Sequence, residues 1–143
     1  MEGSLQKEIL DFAVAFSGGK QRSTWQSDLP GAFAMDGADV TEFLEAFADQ
    51  FEVDLSPLRW EFHYNADEPP GRRRVLPLDP AGKVIPYDPI TLEMLERAVL
   101  AGRWTYEYPE HNIKELPFRF ELPPWPLGLS LALACCIYFL WAG

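Results

Sequence analysis

Two histidines, His63 and His111, and one adjacent cysteine pair, Cys135 and Cys136, are the side chains of this 143-residue chain best suited to hold a metal or act as nucleophiles. Their placement argues against both uses. The histidines are far apart in sequence, and neither stands at ligand spacing from another His or from Cys, so no metal site is expected. His63 reads as an outward strand residue, and His111 as part of a stalk. Neighbouring cysteines cannot bridge distant segments. Because the pair lies inside an apolar run, packing as small apolar residues is expected, with acylation as the alternative. Ser17-Gly18-Gly19-Lys20 lacks the full spacing of a phosphate-cradling loop and follows a helical pattern, so it reads as a helix stop. No serine occupies a strand-to-helix elbow of the hydrolase kind. Arg72-Arg73-Arg74 is the one basic run and reads as a solvated loop, a phosphate or acidic-lipid contact being the alternative. No catalytic residues and no cofactor are therefore assigned, and no enzyme is expected.

Charge narrows the partners. The chain carries 22 acidic and 12 basic residues, a net charge of -10, and all of them precede Leu122. That excess repels nucleic-acid phosphates and attracts basic protein surfaces, so a basic protein partner is expected and nucleic acid is not. Leu122 to Gly143 is uncharged, and a helix over its last part would be about 27–29 Å long, close to the roughly 30 Å hydrocarbon core of a bilayer. Trp125, Tyr138 and Trp141 are placed as interfacial rings. Residues 126–143 are thus expected to form a transmembrane helix, a buried C-terminal helix being the alternative. The amino-terminal residues carry Glu2, Glu8 and Asp11 with no basic start and apolar run, so no leader is read there and the preceding domain is expected to be cytoplasmic.

The elements that must position any functional surface follow from periodicity. Leu5, Ile9, Phe12, Ala13 and Phe16 predict an amphipathic helix over 4–16. Residues 20–35 read as a long ordered loop plugged by Trp25, Leu29, Phe33 and Met35. Over 39–51, Val40, Phe43, Leu44, Phe47 and Phe51 fall within an arc of about 100°, opposite Asp39, Glu42, Glu45, Asp49 and Glu52. Asp36 or Asp39 can cap this helix, and Glu42 stands where a capping box with Asp39 requires it. Residues 59–64 alternate with period two and predict a strand with Trp60, Phe62 and Tyr64 inward. Residues 75–78 and 83–86 flank an Asp79-Pro80-Ala81-Gly82 turn as a short hairpin. A last soluble helix starts near Asp88 or Thr91, shows Glu93, Glu96 and Arg97 to solvent, and stops at Gly102. The prolines of residues 109–125 predict a semi-extended stalk, leaving 1–108 as the folded domain.

Asp28-Leu29, Met35-Asp36-Gly37-Ala38-Asp39-Val40, Phe43-Leu44-Glu45-Ala46-Phe47 and Phe51-Glu52-Val53-Asp54-Leu55 together resemble the centre of an acyl carrier protein. With Ile90-Thr91-Leu92-Glu93-Met94-Leu95 and Ala101-Gly102-Arg103-Trp104, the chain more closely resembles the bacterial domain-of-unknown-function family DUF1493, which is grouped with acyl-carrier-like folds. The likeness extends over residues 4 to 106. The likeness implies a bacterial protein; with no leader read at the amino terminus and the expected anchor at the other end, a single-pass inner-membrane protein with its amino-terminal domain in the cytoplasm is expected.

A carrier places a serine directly after the aspartate at the helix start, where its hydroxyl receives phosphopantetheine. Here that position is Gly37, which has no side chain to modify. The nearest hydroxyl, Thr41, lies one turn further on and reads as ordinary helix-surface bonding. The resemblance leaves the docking surface, because carriers meet their enzymes through an acidic second helix. Asp39, Glu42, Glu45, Asp49 and Glu52 are the matching side chains; a merely solubilising face is the alternative. The chain is therefore expected to be a small α+β domain with acyl-carrier-like helices, a short antiparallel sheet and one C-terminal transmembrane helix. Its expected role is that of a noncatalytic interaction module. The alternatives are a carrier modified at a non-standard hydroxyl and an immunity or toxin-neutralising protein.

Overall fold

The computed structural model describes residues 2–66 and 72–117, and it shows an α+β architecture. Helix α1 (Glu2–Ser17) buries Ile9 and Ala13 at the expected spacing and ends where predicted. Gly18 and Gly19 there take φ of 69° and 78°, a backbone that residues with a Cβ rarely adopt. The plugged loop holds a four-residue helix, α2 (Leu29–Ala32). Its start combines Pro30 in the first turn with a carboxylate cap, in which Asp28 Oδ1 accepts from the Gly31 amide at 2.9 Å. Leu29, Phe33 and Met35 are buried as plugs, and Trp25 packs half-buried against the core.

Helix α3 (Ala38–Phe51) turns Val40, Phe43, Leu44 and Phe47 inward. Aromatic contacts weld it to α1: Phe12 lies 5.8 Å from Phe43 and 5.7 Å from Phe51, and Phe16 lies 5.5 Å from Phe43. Rings at these separations add about 0.5–1.5 kcal/mol per pair to the area they bury. Helix α4 (Leu92–Ala101) supplies Leu92, Leu95 and Ala98 to the same core. Thr91 caps it through Met94 N (3.3 Å), and Gly102, with φ of 73°, ends it. Glu96, expected to face out, is buried where α4 meets α1, and Gln6 Nε2 donates to its carboxylate at 2.6 Å. A hydrogen-bonded partner on the neighbouring helix is what lets a charged side chain sit inside. Leu100 follows the polar arc and is 70% exposed.

The strand expected over 59–64 is absent. Arg59 is extended, but Trp60–Phe62 forms a 3-10 turn in which the amides of Phe62 and His63 donate to the carbonyls of Arg59 and Trp60 at 3.2 and 2.8 Å. Glu61, Phe62 and His63 are buried in succession, which a period-two strand cannot do. The alternating aromatics are thus accommodated by a tight turn that aims consecutive side chains inward. His63 is 4% exposed, the reverse of its expected outward position.

Strand β1 (Val75–Leu78) forms as predicted, but its main partner is β2 (Asn112–Glu115), antiparallel, with Val75 opposite Glu115 and Leu78 opposite Asn112. The 83–86 arm contributes a single bridge, Leu78 to Val84, together with the bonds Asp79 N to Lys83 O and Ile85 N to Pro77 O, each 2.8 Å. Residues 112–115 fall in the segment read as a stalk, so the chain returns to the domain there before continuing. Arg73, read as solvated, is instead half-buried: its guanidinium lies 3.8 Å over the Tyr87 ring and donates to the carbonyls of Ile85 (2.8 Å) and Glu61 (2.9 Å). Among the described residues no helix is long and apolar enough to cross a membrane. The helix expected over 126–143 lies outside the described residues.

Candidate functional site

The start of α3 holds position 37, where an acyl carrier would place its serine. Gly37 precedes the helix with φ of 48° and ψ of -113°, and no side chain caps it. The Asp39 amide instead donates to the Asp36 carbonyl at 2.9 Å, so the expected Asp39–Glu42 capping box is replaced by a backbone turn. A Cβ added at Gly37 would stand 3.3 Å from the Asn65 carbonyl oxygen. Glycine is therefore demanded by the backbone, and the position offers a serine neither a relaxed conformation nor free space. Thr41, the next hydroxyl, is half-buried and hydrogen-bonded to the Tyr64 hydroxyl at 2.9 Å.

From this point the helix presents Asp39, Glu42, Glu45, Asp49 and Glu52, all exposed. The first four lie on α3, and Glu52 caps it in a left-handed conformation with φ of 56°. No ion pair engages any of the five among the described residues, whereas Lys7 pairs with Asp11 and Arg59 with Glu61. The face is a coherent band of negative potential backed by a packed core.

Beside Gly37 lies a cavity of about 340 Å³, bordered by Asp28, Asp36, Val40, His63 and Tyr64. His63 anchors its far side. The ring Nδ1 is 2.7 Å from the Asp88 carbonyl, which can only accept, so Nδ1 carries the hydrogen. Nε2 is 2.9 Å from the Tyr108 hydroxyl, whose oxygen already accepts from the Arg59 amide at 3.0 Å and the Trp104 indole at 2.9 Å. The one hydrogen of that hydroxyl is left for Nε2. The imidazole is therefore neutral, and burial pushes its pKa below the usual 6.5 despite the raising effects of the Asp88 carbonyl and the carboxylates of Asp88 and Glu61. Burial likewise raises Tyr64 and Tyr108 above the usual phenol value, and Tyr106, which also donates to Asp88 Oδ2 at 2.6 Å, is pushed up to about 12.

Both nitrogens of His63 and the hydroxyl of Thr41 are thus hydrogen-bonded to partners inside the fold. Among the described residues no group of three potential metal ligands comes together. The buried histidine network was missed in the sequence, although Trp104, Tyr106 and Tyr108 alternate and form one wall of it, packing 5.5, 4.8 and 5.6 Å from His63. His111, half-buried, rests its ring edge on Phe62 at 4.7 Å.

Residues 3–107 match the family described as "Protein of unknown function (DUF1493)". The chain belongs to that family. The matched region of this DUF1493 protein contains Gly37, the whole acidic face and Trp104, and stops one residue short of Tyr108. No curated protein matches the chain, and neither does any solved structure.

Proposed function

We propose that this DUF1493 protein is a noncatalytic, acyl-carrier-like interaction module that docks a basic protein partner through the acidic face of α3, held at a bacterial inner membrane by residues 126–143. The observation that carries this reading is that all five carboxylates are exposed together and, among the described residues, spent on no ion pair. A row of unpaired like charges attracts a complementary surface through its summed field, whereas a single exposed pair would contribute only about 0–1 kcal/mol. Such docking weakens with salt, because the screening length contracts from about 10 Å at 0.1 M to about 3 Å at 1 M.

The test is a charge reversal of Glu42, Glu45 and Asp49 to lysine in the full chain. Partners captured at low salt and released at high salt are identified and purified, and their affinity is then measured against both forms. The reversed form is expected to lose binding while keeping its helical circular dichroism; unchanged affinity overturns the docking reading. The carrier reading has its own measurement. Intact mass after incubation with a phosphopantetheinyl transferase is expected to show no added arm. Removal of residues 126–143 is expected to move the protein from the membrane pellet to the supernatant.

A further inference from the structure

We propose that His63 is the trigger of a pH-operated latch, which holds residues 105–116 against the domain while the imidazole is neutral and lets them go when it takes up a proton. The segment is held in three places. Tyr106 donates to the Asp88 carboxylate, Tyr108 sits between His63, Trp104 and Arg59, and β2 pairs with β1. Upstream the chain is fixed independently, since Asp54 exchanges backbone bonds with Gly102 and Trp104, each 2.9 Å. Movement therefore begins after Trp104.

The Tyr108 oxygen is the weak point because its hydrogen-bond capacity is already full. It accepts two N–H groups and donates its single hydrogen to His63 Nε2. A proton on Nε2 turns that acceptor into a third donor aimed at an oxygen with two lone pairs, and strands the phenolic hydrogen. An unmade bond in a buried site is costly, so Tyr108 leaves and the imidazolium gains access to water.

The charged and titratable groups around the ring favour the same direction. From the 3-10 turn and its flanks come Glu61, buried, Tyr64, and Arg59, whose guanidinium lies 3.7 Å from the Glu61 carboxylate, while Arg73 adds a second cation that donates to the Glu61 carbonyl at 2.9 Å. The loop before α4 brings Asp88 and Tyr87, and the segment itself brings Tyr106 and Tyr108. On the α2–α3 side, Asp28 and Asp36 border the same cavity. Carboxylates predominate, so opening the latch removes the burial that opposes the proton and leaves the charges that attract it. The proton consequently binds the open state more tightly and drives opening by linkage.

The experiment follows the full chain in detergent from pH 8 to pH 5. Ring nitrogen shifts report the state of His63, with a His111→Asn form assigning the signal, and hydrogen exchange reports protection corrected for the intrinsic pH dependence of exchange. Protection of residues 105–116 is expected to fall by up to about tenfold for each unit by which the closed-state pKa lies below that of the open state, together with His63 protonation, while α3 stays protected. A Tyr108→Phe form is expected to be poorly protected in this segment already at pH 8, with little further pH dependence. The latch is overturned if His63 titrates without loss of protection, if protection is lost at an unrelated midpoint, or if α3 and the segment lose protection together. Should Tyr108→Phe fail to fold, the unsubstituted chain alone decides between these outcomes.

Discussion

Replacing Gly37 by serine recreates the residue that an acyl carrier would modify, and the structure says what should happen. At φ of 48° and ψ of -113° any residue with a Cβ is strained, by roughly 1–3 kcal/mol for a sparsely populated region. The new Cβ also meets the Asn65 carbonyl oxygen at 3.3 Å, so the 63–66 segment must give by a few tenths of an ångström. Together these make Gly37→Ser destabilising by about 2–3 kcal/mol, a large part of the roughly 5–15 kcal/mol that stabilises a typical domain. Gly37→Ala should match it within about 0.5 kcal/mol, because the cost lies in the Cβ rather than the hydroxyl. Ala38→Ser, one residue on at the exposed first position of α3, should cost no more than about 0.5 kcal/mol. Urea unfolding monitored by tryptophan fluorescence measures all three, and intact mass after treatment with a phosphopantetheinyl transferase asks whether the introduced serine is loaded. A Gly37→Ser form as stable as its parent would refute the backbone argument, and a gain of one arm would mean that a transferase still recognises the surface around residue 37.

Acid should weaken the fold through His63. An unfolded imidazole protonates near 6.5 while the buried one resists, so between 6.5 and the lower folded value the unfolded state binds more protons. Stability is therefore full above that window, declines as pH falls through it and levels off below; the urea midpoint of the parent should show this decline in excess of a His63→Gln form. Phe47→Ala removes a fully buried ring that stacks 6.4 Å from Phe43 and 5.1 Å from Phe51, and should cost about 3–5 kcal/mol by urea unfolding. Thr91→Ala deletes the side-chain acceptor at the start of α4 and should cost about 1 kcal/mol, with Thr91→Ser restoring most of it.

Where hydrophobic period and local capping act alone, the chain was readable. The arcs of α1, α3 and α4, the Gly18-Gly19 and Gly102 stops and the Thr91 cap all depend on neighbours within a turn or two. Misreadings occur where a distant segment decides. Residues 59–64 alternate like a strand, yet with Phe62 packed on Tyr108 at 4.8 Å and His63 bonded to Asp88, burying consecutive side chains outweighs a ladder that has no partner. Residues 112–115 are wholly exposed and flanked by prolines, so no core signal marks them, and only their register against β1 makes them a strand. Glu96 and Arg73 carry the same lesson. Each looks like a solvent residue by type, and each is drawn in by acceptors or donors more than ten residues away. At the candidate site, the acidic face was legible because it is one helix arc, while the demand for glycine at 37 depends on the remote Asn65 carbonyl.

The acidic face also bears on why those charges are where they are. Asp39, Glu42, Glu45, Asp49 and Glu52 follow one another at spacings of three and four, the spacing at which like charges on a helix repel by a few tenths of a kcal/mol per pair. Asp39 is favoured by the positive end of the helix dipole, but Asp49 and Glu52 stand at the negative end, where a carboxylate is disfavoured. Neutral or basic residues at 45, 49 and 52 would thus make α3 a better helix, and solubility would be served equally by mixed charges dispersed over the surface. Stability of the domain does not account for the band, since none of its side chains bonds to the core or to a cation among the described residues. The docking proposed above would account for it: a complementary basic surface brought up to the arc would relieve the repulsion along it, and the same contacts would provide both attraction and register. On this reasoning the charge-reversed form, carrying Glu42→Lys, Glu45→Lys and Asp49→Lys together, should be at least as stable alone as its parent while losing its partner. A fold weakened along with binding would instead assign the carboxylates to structure.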